Sequence, residues 1–514
     1  MPSLPRPAVV LGEAPALAAD ADLLAVPVFG DPATDDLADL PGLDEAADGA
    51  IARARSSGEF QAKRRETFAT DLRGTGARAG RLLLVGAPAR CRGAGPDGIG
   101  SVAVRMAEAA AVAGRVARAR RISRMAFVCR APESNVAPSM AQAAAEGLVI
   151  GSFRDTRYKS NNGVGEPPAS QVVQVGASRD AEVAVAVDRG AVLGGATNVA
   201  RELANEPSNV LTPRVFAERA VQAVEAAGVK AEVLDEAAIR ELGMGLFLGV
   251  AQGSREPPRL LAMRHEPAGA PAEPVLGLVG KGVTFDTGGI SIKPAGGMEW
   301  MKCDMAGGAA VVGAMCAIGA LGAPRRVVGV VPMTENMPGG RATRPGDILT
   351  GAGGTTVEVI NTDAEGRLIL GDALWYARRC GATHLVDVAT LTGACVVALG
   401  HAASGLFGRP ATWMEAVREA AAHAGEPVWT LPLYEEYREQ LRSEMADLKN
   451  IGGRAAGACT AASFLEAFTA DLPWAHLDVA GTAWIEKARE DIEAGATGVM
   501  VRTLAELAMR PGIS

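Results

Sequence analysis

The chain contains 514 residues, of which 48% are apolar and 21% are charged. This composition is typical of a folded globular protein of roughly two to four domains and excludes extensive disorder. The 51 lysines and arginines and the 59 aspartates and glutamates give a formal net charge of −8, so a general nucleic-acid-binding surface is not expected. Seven cysteines without a CxxC spacing indicate neither a disulfide framework nor a zinc–cysteine site, and we therefore predict a cytoplasmic protein.

Membrane insertion is not expected either. The amino terminus carries acidic residues and prolines where a signal peptide needs a cationic start and an unbroken apolar core. Residues 305–324 form a stretch of 20 residues without a charge, which is about the length needed to span a bilayer. Because the stretch is mostly glycine and alanine and has no aromatic belt, it predicts a buried, closely packed helix.

The first part of the chain alternates apolar runs with helical patterns. Residues 101–124 have a helical period. Four runs are typical of buried strands: 22–29, 81–87, 125–130 and 171–176. We predict a smaller amino-terminal α/β domain over residues 1–180, followed by a linker at 181–200.

The same alternation is stronger over residues 201–514. Five runs there are typical of buried strands: 275–280, 327–333, 355–360, 384–389 and 475–480. Helical segments separate them, which predicts a larger carboxyl-terminal α/β domain with a mostly parallel central sheet flanked by helices. In such a domain the functional groups collect at the carboxyl ends of the strands.

Lysine is the first residue type that points to chemistry. Only eight lysines occur in the chain, and three of them fall between positions 281 and 302. Lysine is the cation that loses its proton when its surroundings depress the pKa, so a specific use of Lys281 and Lys293 is indicated. Nearby, Asp286 follows Lys281, and Asp304 stands at the start of the predicted apolar helix, where capping of the first turn is the alternative role.

A second cluster of charged residues is the segment NTDAEGRL at 361–368, directly after a predicted strand. In an extended conformation Asp363, Glu365 and Arg367 would point to one side of the chain. Asp363 and Glu365, together with Asp286 and Asp304, supply four carboxylates. Such a cluster needs cations, and a pair of divalent metals would satisfy it.

The identity of the metal stays open at this point. All five histidines lie outside these segments, so a histidine-based zinc protease site is not expected. Oxygen ligands are compatible with Zn²⁺, Mn²⁺ or Mg²⁺.

These segments resemble the motifs of the leucyl aminopeptidase family, the two-metal cytosol aminopeptidases. The resemblance extends in the same order from about residue 195 almost to the carboxyl end, whereas the first 180 residues show only the looser pattern of the family's variable, oligomer-associated amino-terminal domain. Thr287 and Gly371 depart from the family, which mostly has serine and alanine there. The motifs are GKGVTFDTGGISIKP, MKCDMAGGAA, NTDAEGRL, NVARELANEPSNVLTP, TENMPGGRATRPGDILT, DVATLTGA, ADLKNIGGRAAGACTAASFL and HLDVAGTAW.

The resemblance implies a specific set of ligands for two metal ions per subunit. One ion would be held by Asp286, Asp363 and Glu365. The other would be held by Lys281, Asp286, Asp304 and Glu365, so that Asp286 and Glu365 bridge the two. Lys281 must then be a neutral amine, and two adjacent dications favour that state.

The resemblance also implies the remaining catalytic roles. Lys293 stays charged and faces the scissile carbonyl, where it stabilises the oxyanion that develops when a metal-bridging water attacks. Arg367 holds a bicarbonate ion that acts as general base. The residues at the family's substrate-binding positions are Met301, Thr390, Leu391 and Gly393, with Lys293 and Asp304.

The sequence therefore predicts a metal-dependent aminopeptidase that acts on peptides with a free amino terminus and prefers leucine and similar apolar residues. The resemblance also implies a homohexamer. One alternative is a DNA-binding architectural or regulatory role of the hexamer, which would show a steep dependence of binding on salt. Another is a two-metal hydrolase of phosphate esters. Assays on peptide and phosphoester substrates discriminate between the two hydrolases.

Overall fold

The structure is a computed structural model, and it describes residues 8–12, 14–30, 37–74, 76–88, 102–130, 138–160, 170–174 and 181–510. Contacts divide the chain into two compact units. The first unit comprises residues 1–198 and 486–494, and the second comprises residues 199–485 and 495–514. The sequence-based division at 180 and 200 stays a prediction, and the segment 181–200 lies within a long helix, Ala181–Asn205.

The first unit is built on a six-stranded sheet with the order β1-β6-β5-β2-β4-β3. All neighbouring strands are parallel except β3, which runs antiparallel to β4. Its strands are β1 (Ala8–Gly12), β2 (Leu23–Val28), β3 (Thr67–Asp71), β4 (Arg81–Gly86), β5 (Arg124–Val128) and β6 (Ser170–Gln174). Its helices are α1 (Leu43–Ala46), α2 (Ala50–Ser57), α3 (Val102–Ala119), α4 (Pro138–Ser152) and the part of α5 (Ala181–Asn205) up to residue 198, with a short 3₁₀ helix at Ala16–Ala18.

Strand β2 shows why this sheet is covered on both faces. Every residue of the strand is buried. Leu23 and Ala25 belong to one apolar cluster, and Leu24, Val26 and Val28 belong to another. Because successive side chains point to opposite faces, a continuous apolar run is what a strand buried on both sides requires.

The second unit contains a nine-stranded sheet with the order β16-β15-β18-β14-β9-β11-β8-β7, in which β10 also pairs with β11. Its centre is parallel, and β15, β8 and β7 add antiparallel pairs toward the edges. The strands are β7 (Lys230–Leu234), β8 (Arg259–His265), β9 (Leu276–Gly280), β10 (Gly282–Asp286), β11 (Val327–Asn336), β14 (His384–Ala389), β15 (Ser404–Arg409), β16 (Val428–Thr430) and β18 (Trp474–Asp478).

Helices and two small sheets complete the second unit. One small sheet consists of β12 (Ile348–Thr350), β13 (Thr356–Glu358) and β17 (Leu448–Lys449), and the other of β19 (Trp484–Ile485) and β20 (Gly495–Ala496). The helices are α6 (Pro213–Ala226), α7 (Glu236–Glu241), α8 (Gly245–Ala251), α9 (Ala306–Leu321), α10 (Glu365–Arg379), α11 (Gly393–Leu399), α12 (Ala411–Ala424), α13 (Glu435–Glu439), α14 (Gly457–Glu466) and α15 (Val501–Met509), with a 3₁₀ helix at Met298–Cys303.

Helix α9 confirms the prediction of a buried helix over the uncharged stretch. The segment Met298–Leu321 is long and apolar enough to cross a membrane, yet 78% of its most apolar window is buried inside the protein. Glycine allows the close packing, because a Cβ atom on Gly307 would lie 2.0 Å from the carbonyl oxygen of Val388 in β14. The composition of α9 therefore reflects contact between helix and sheet backbones.

The predicted fold class is confirmed: a smaller α/β part precedes a larger one with a mostly parallel sheet. All nine strand-like runs form strands, with ends shifted by a few residues. Besides β10, the described strands that were not predicted are β1, β3, β7, β8, β12, β15, β16, β17, β19 and β20. Strand β10 is a further addition, because the chain continues past Lys281 into a second extended segment that pairs with β11.

Candidate metal centre

The charged residues singled out from the sequence meet at the carboxyl ends of the central strands. Lys281 follows the end of β9, and Asp286 is the last residue of β10. Thr390 follows the end of β14. Because β9 lies between β14 and β11, and β10 pairs with β11, these strand ends are neighbours. The expectation that functional groups collect at this edge is met.

Three carboxylates form the centre of the cluster. One ligand oxygen from each of Asp286, Asp363 and Glu365 lies within 4.8 Å of the others. Asp286 and Glu365 are almost fully buried, with 1% and 2% of their surface exposed. Asp304, also buried, joins the cluster through Lys281, whose Nζ lies 2.8 Å from Asp304 Oδ2 and 2.7 Å from Glu365 Oε1.

Two ammonium groups lie among these carboxylates. Besides its ion pairs, Lys281 Nζ donates a hydrogen bond to the carbonyl oxygen of Thr390 at 3.0 Å. Lys293 Nζ lies 2.7 Å from Asp286 Oδ2 and 2.5 Å from Asp363 Oδ1. Burial alone would lower the pKa of both lysines, but the surrounding carboxylates outweigh it and raise the pKa of each. Without metal, both side chains are therefore charged.

The two lysines do not fully compensate the negative charge. Burial raises the pKa of Asp304 well above its ordinary value, and the charge of Asp286 raises it further. Burial, followed by the charge of Asp286, also raises the pKa of Asp363 and of Glu365. Carboxylates whose ionised forms are disfavoured in this way gain stability from additional positive charge.

The side chains fit divalent metal ions. The buried atoms Asp304 Oδ2 and Asp363 Oδ1 accept no hydrogen bond from any residue that the structure describes, although an ammonium group lies within ion-pair distance of each. The possible donors are carboxylate oxygens and one lysine nitrogen, which could be a ligand only in its neutral form. This donor set matches Mn²⁺, Zn²⁺ or Mg²⁺.

One local expectation from the sequence is wrong, and one alternative role that it left open is not observed. The segment 361–368 is not extended, because α10 begins at Glu365 with Ala364 as its N-cap. Glu365 lies in the first turn of that helix, where a carboxylate is favoured by the helix dipole. Asp304 does not cap the apolar helix, because α9 begins after Met305. Its Oδ1 instead accepts hydrogen bonds from Lys281 and from the hydroxyl of Thr390, at 2.9 and 2.7 Å.

Arg367 presents a buried guanidinium group on α10. Its Nη1 donates to the carbonyl oxygen of Asn450 at 2.9 Å, and its Nε has no hydrogen-bond partner among the described residues. Burial lowers the pKa of Arg367 to about 10 against the opposing charges of Glu365 and Asp478. A buried guanidinium with an unpaired N–H is suited to binding a small anion.

The other predicted substrate residues lie on two segments next to the cluster. Thr390 contacts it directly through Asp304 and Lys281. Leu391 is half-buried against the apolar core, and Gly393 is the first residue of α11. Met301 lies in the 3₁₀ helix that ends just before Asp304.

Sequence reasoning missed three polar residues that hold the site together. Asn336, at the end of β11, contacts Asp286. The side chain of Asn450 accepts from the backbone N–H of Ile360 and donates to the carbonyl oxygen of Asn361, which fixes the chain before Asp363. Asp478, at the end of β18, accepts from the backbone N–H of Leu391 and the hydroxyl of Thr392. One sequence feature could have indicated these three residues: each is a polar side chain at or shortly after the end of a strand. They lie in the motif segments TENMPGG (Asn336), ADLKNIGG (Asn450) and HLDVAG (Asp478).

Comparison with known proteins places this site in a family. The sequence model of the cytosol aminopeptidase catalytic domain matches residues 198–505, and that of the same family's amino-terminal domain matches residues 25–162. The chain is 50% identical over 434 residues to a probable cytosol aminopeptidase of Solibacter usitatus, covering 84% of this chain and 88% of the relative. It is 42% identical over 507 residues to that of Syntrophotalea carbinolica, covering 97% and 99%.

Solved structures agree with the sequence matches. The bottromycin maturation enzyme BotP in complex with Mn superimposes with a TM-score of 0.81 at 36% identity, covering 95% of this chain and 99% of BotP. A mutant of tomato leucine aminopeptidase superimposes with a TM-score of 0.86 at 31% identity, covering 99% and 98%. The chain thus belongs to the cytosol aminopeptidase family of hydrolases.

Proposed function

We propose that this protein is a two-metal aminopeptidase that releases the amino-terminal residue of peptides and prefers leucine and similar apolar residues. The observation that supports this most directly is the buried cluster of carboxylates and lysines at the carboxyl ends of the central strands. A site of this kind holds positive charge next to a neutral peptide bond, which is what amide hydrolysis requires.

Five side chains are proposed as the metal ligands. Asp286, Asp363 and Glu365 would hold one ion, and Lys281, Asp286, Asp304 and Glu365 the other. Two divalent cations held by these residues would supply polarisation of a carbonyl and a lowered pKa of bound water. Lys281 must release its proton on loading, and Zn²⁺, Mn²⁺ and Mg²⁺ are the candidate ions.

Two cations are proposed to act on the reaction itself. Lys293 has 21% of its side chain exposed, so it can reach a bound substrate, and it is proposed to act as the charged ammonium group. It would donate a hydrogen bond to the carbonyl oxygen as negative charge develops there. Arg367 would bind bicarbonate through its Nε–H, which has no partner among the described residues, and hold that base beside the scissile bond.

The substrate's free amine and its first side chain would be recognised by different residues. Asp304 would accept a hydrogen bond from the α-amine, with Thr390 fixing the orientation of its carboxylate at 2.7 Å. Met301, Leu391 and Gly393 would lie along the first side chain, where methionine and leucine favour an apolar group. This arrangement would confine cleavage to the amino terminus.

A pair of chromogenic substrates tests the proposal. Leucine p-nitroanilide should be hydrolysed in the presence of Mn²⁺ or Zn²⁺, whereas N-acetyl-leucine p-nitroanilide should be essentially inert. Acetylation removes the amine's ability to bind at the site and adds bulk where the pocket ends, so positioning is lost along with affinity. Comparable kcat/KM values for the two compounds would contradict the assignment and indicate a broader amidase.

Assembly and location are part of the same proposal. The family resemblance supports a cytoplasmic homohexamer. Sedimentation of the purified full-length chain should give a mass six times that of the 52.7 kDa subunit. A monomer or dimer with full peptidase activity would contradict the assembly and leave the catalytic assignment intact.

A further inference from the structure

Asn336 lies where the two metal-binding segments meet. It is the last residue of β11 and has only 4% of its surface exposed. Its Nδ2 donates to Asp286 Oδ1 at 2.8 Å and lies 3.5 Å from Glu365 Oε2. One carboxamide therefore reaches both of the carboxylates proposed to bridge the metals.

The orientation of this carboxamide is fixed by its surroundings. Nδ2 also donates to the carbonyl oxygen of Thr362 at 3.0 Å, so its three neighbours are all oxygen atoms. A flipped side chain would place its own oxygen against these acceptors, which is unfavourable. The carboxamide consequently presents an N–H donor to the carboxylates and keeps its oxygen on the opposite side.

The opposite side is shaped to accept the oxygen. Gly289 has a φ of +67°, and a Cβ atom on it would lie 2.8 Å from Asn336 Oδ1. Glycine adopts this left-handed backbone conformation without strain, and it has no Cβ atom that would collide with the carboxamide oxygen of Asn336. The loop after β10 thus keeps room for the side chain of Asn336.

The backbone of Asn336 adds a second connection to the same loop. Its carbonyl oxygen accepts hydrogen bonds from the backbone N–H and the hydroxyl of Thr287, at 3.0 and 2.7 Å. Thr287 directly follows Asp286. Asn336 therefore holds the segment with Asp286 through its main chain and the segment with Glu365 through its side chain.

We propose that Asn336 is a positioning residue of the metal centre, which holds the carboxylates of Asp286 and Glu365 in their bridging arrangement without being a ligand itself. The inference rests on the proposed two-metal function. Hydrogen bonds to ligating carboxylates orient them before the metal arrives, and their loss typically lowers metal affinity by roughly 10- to 100-fold. The N–H donor also leaves the remaining oxygen lone pairs of both carboxylates for the ions.

The test compares metal binding of two buried variants. Asn336→Leu keeps the branching at Cγ and has no donor, so it removes the hydrogen bonds to Asp286 and Glu365. Thr362→Val is the matched control, because it removes a buried hydroxyl that donates to the carbonyl oxygen of Gly288 at 2.7 Å. Thr362 is 5% exposed, and its hydroxyl hydrogen bonds involve backbone groups and no carboxylate of the cluster.

Free Mn²⁺ is titrated into each metal-free full-length protein and quantified by its electron paramagnetic resonance signal. We expect the dissociation constant of the Asn336→Leu protein to rise about 10- to 100-fold, and that of Thr362→Val to change much less. Thermal unfolding of the metal-free proteins is measured in parallel. If Asn336 had a merely structural role, both variants would melt at a lower temperature than the unchanged protein. The dissociation constants of Asn336→Leu and Thr362→Val for Mn²⁺ would then be nearly equal.

Asn336→Ser serves as the second variant, because its smaller side chain fits without strain. Its dissociation constant for Mn²⁺ must also rise. Mn²⁺ binding by folded Asn336→Leu within about twofold of the unchanged protein would overturn the proposal. Failure of both Asn336 variants to fold would also overturn it, because the side chain would then be required by the fold. If the unchanged protein binds neither Mn²⁺ nor, when elemental analysis follows dialysis against them, Zn²⁺ or Mg²⁺, the proposed function itself fails, which is a distinguishable result.

Discussion

Gly366→Ala probes how tightly the structure holds Lys281. A Cβ atom at this position in α10 would lie 2.7 Å from Lys281 Cε and 2.8 Å from its Nζ. Lys281 is 3% exposed, and its Nζ is held by Asp304, Glu365 and the carbonyl oxygen of Thr390. The lysine must therefore retreat by about 0.7 Å to reach ordinary van der Waals contact.

Two opposing effects set the stability of this variant. Alanine is favoured over glycine inside a helix by about 1 kcal/mol, whereas overpacking a buried site costs about 1 to 3 kcal/mol. The free energy of unfolding of the metal-free protein should consequently fall by only about 0 to 2 kcal/mol. The functional effect should be larger, because a displacement of this size at a catalytic site costs on the order of 10² in rate.

Gly371→Ala on the same helix is the control. There the added Cβ atom would lie 3.2 Å from ring carbons of Phe468, which is away from the cluster and needs a shift of a few tenths of an ångström. Denaturant unfolding, metal analysis and kcat/KM for leucine p-nitroanilide are compared for both variants. Gly366→Ala should lose metal and activity, while Gly371→Ala should lose neither. Full metal content and full activity in Gly366→Ala would refute the rigid placement of Lys281.

Three further predictions concern single charges. Lys293→Ala should lower kcat by roughly 10² to 10³ through loss of one transition-state contact, with little change in metal content; an equal loss of metal would contradict a role on the carbonyl. Arg367→Ala should make activity insensitive to added bicarbonate, and an unchanged response would exclude the proposed base. Burial raises the pKa of Asp372 to about 7 although backbone N–H groups of Phe247 and Ala352 donate to it. The folded chain therefore keeps a proton that the unfolded chain releases near pH 4, and this contribution to stability is complete below about pH 4 and is lost as the pH rises through about 7. Asp372→Asn should flatten the dependence of the metal-free protein's unfolding free energy on pH across that window, and an unchanged slope would show that another group titrates.

Hydrophobic patterning predicted the parallel core because strands buried on both faces are apolar throughout. Strand β9 is a clear case, since all of its residues from Leu276 to Gly280 are buried. Strand β3 was missed because its alternating burial leaves exposed residues that dilute the apolar signal. Strand β10 was missed because only Lys281 separates its short run from β9. The pattern therefore indicates that a strand ends at Lys281, although a second strand begins at Gly282.

The charged members of the site were predictable, whereas the residues that support them were not. Lys281, Asp286 and Glu365 stand out because their types are costly to bury without partners. Asn336 and Asn450 carry no charge. Their roles depend on hydrogen bonds across 26 to 50 positions of sequence for Asn336 and 86 to 90 positions for Asn450. Such contacts are determined by tertiary folding, which local patterns do not encode.

Metal stoichiometry tests the central claim most directly. The metal-free chain is dialysed against a slight excess of Zn²⁺ or Mn²⁺, and bound metal is counted by elemental analysis. Two ions per chain are expected for the unchanged protein, fewer for Asp304→Ala, and a loss at both positions for Glu365→Ala, because that carboxylate is proposed to bridge. Circular dichroism should show that both variants stay folded. One ion or none in the unchanged protein, or two in folded Glu365→Ala, would contradict the two-metal account.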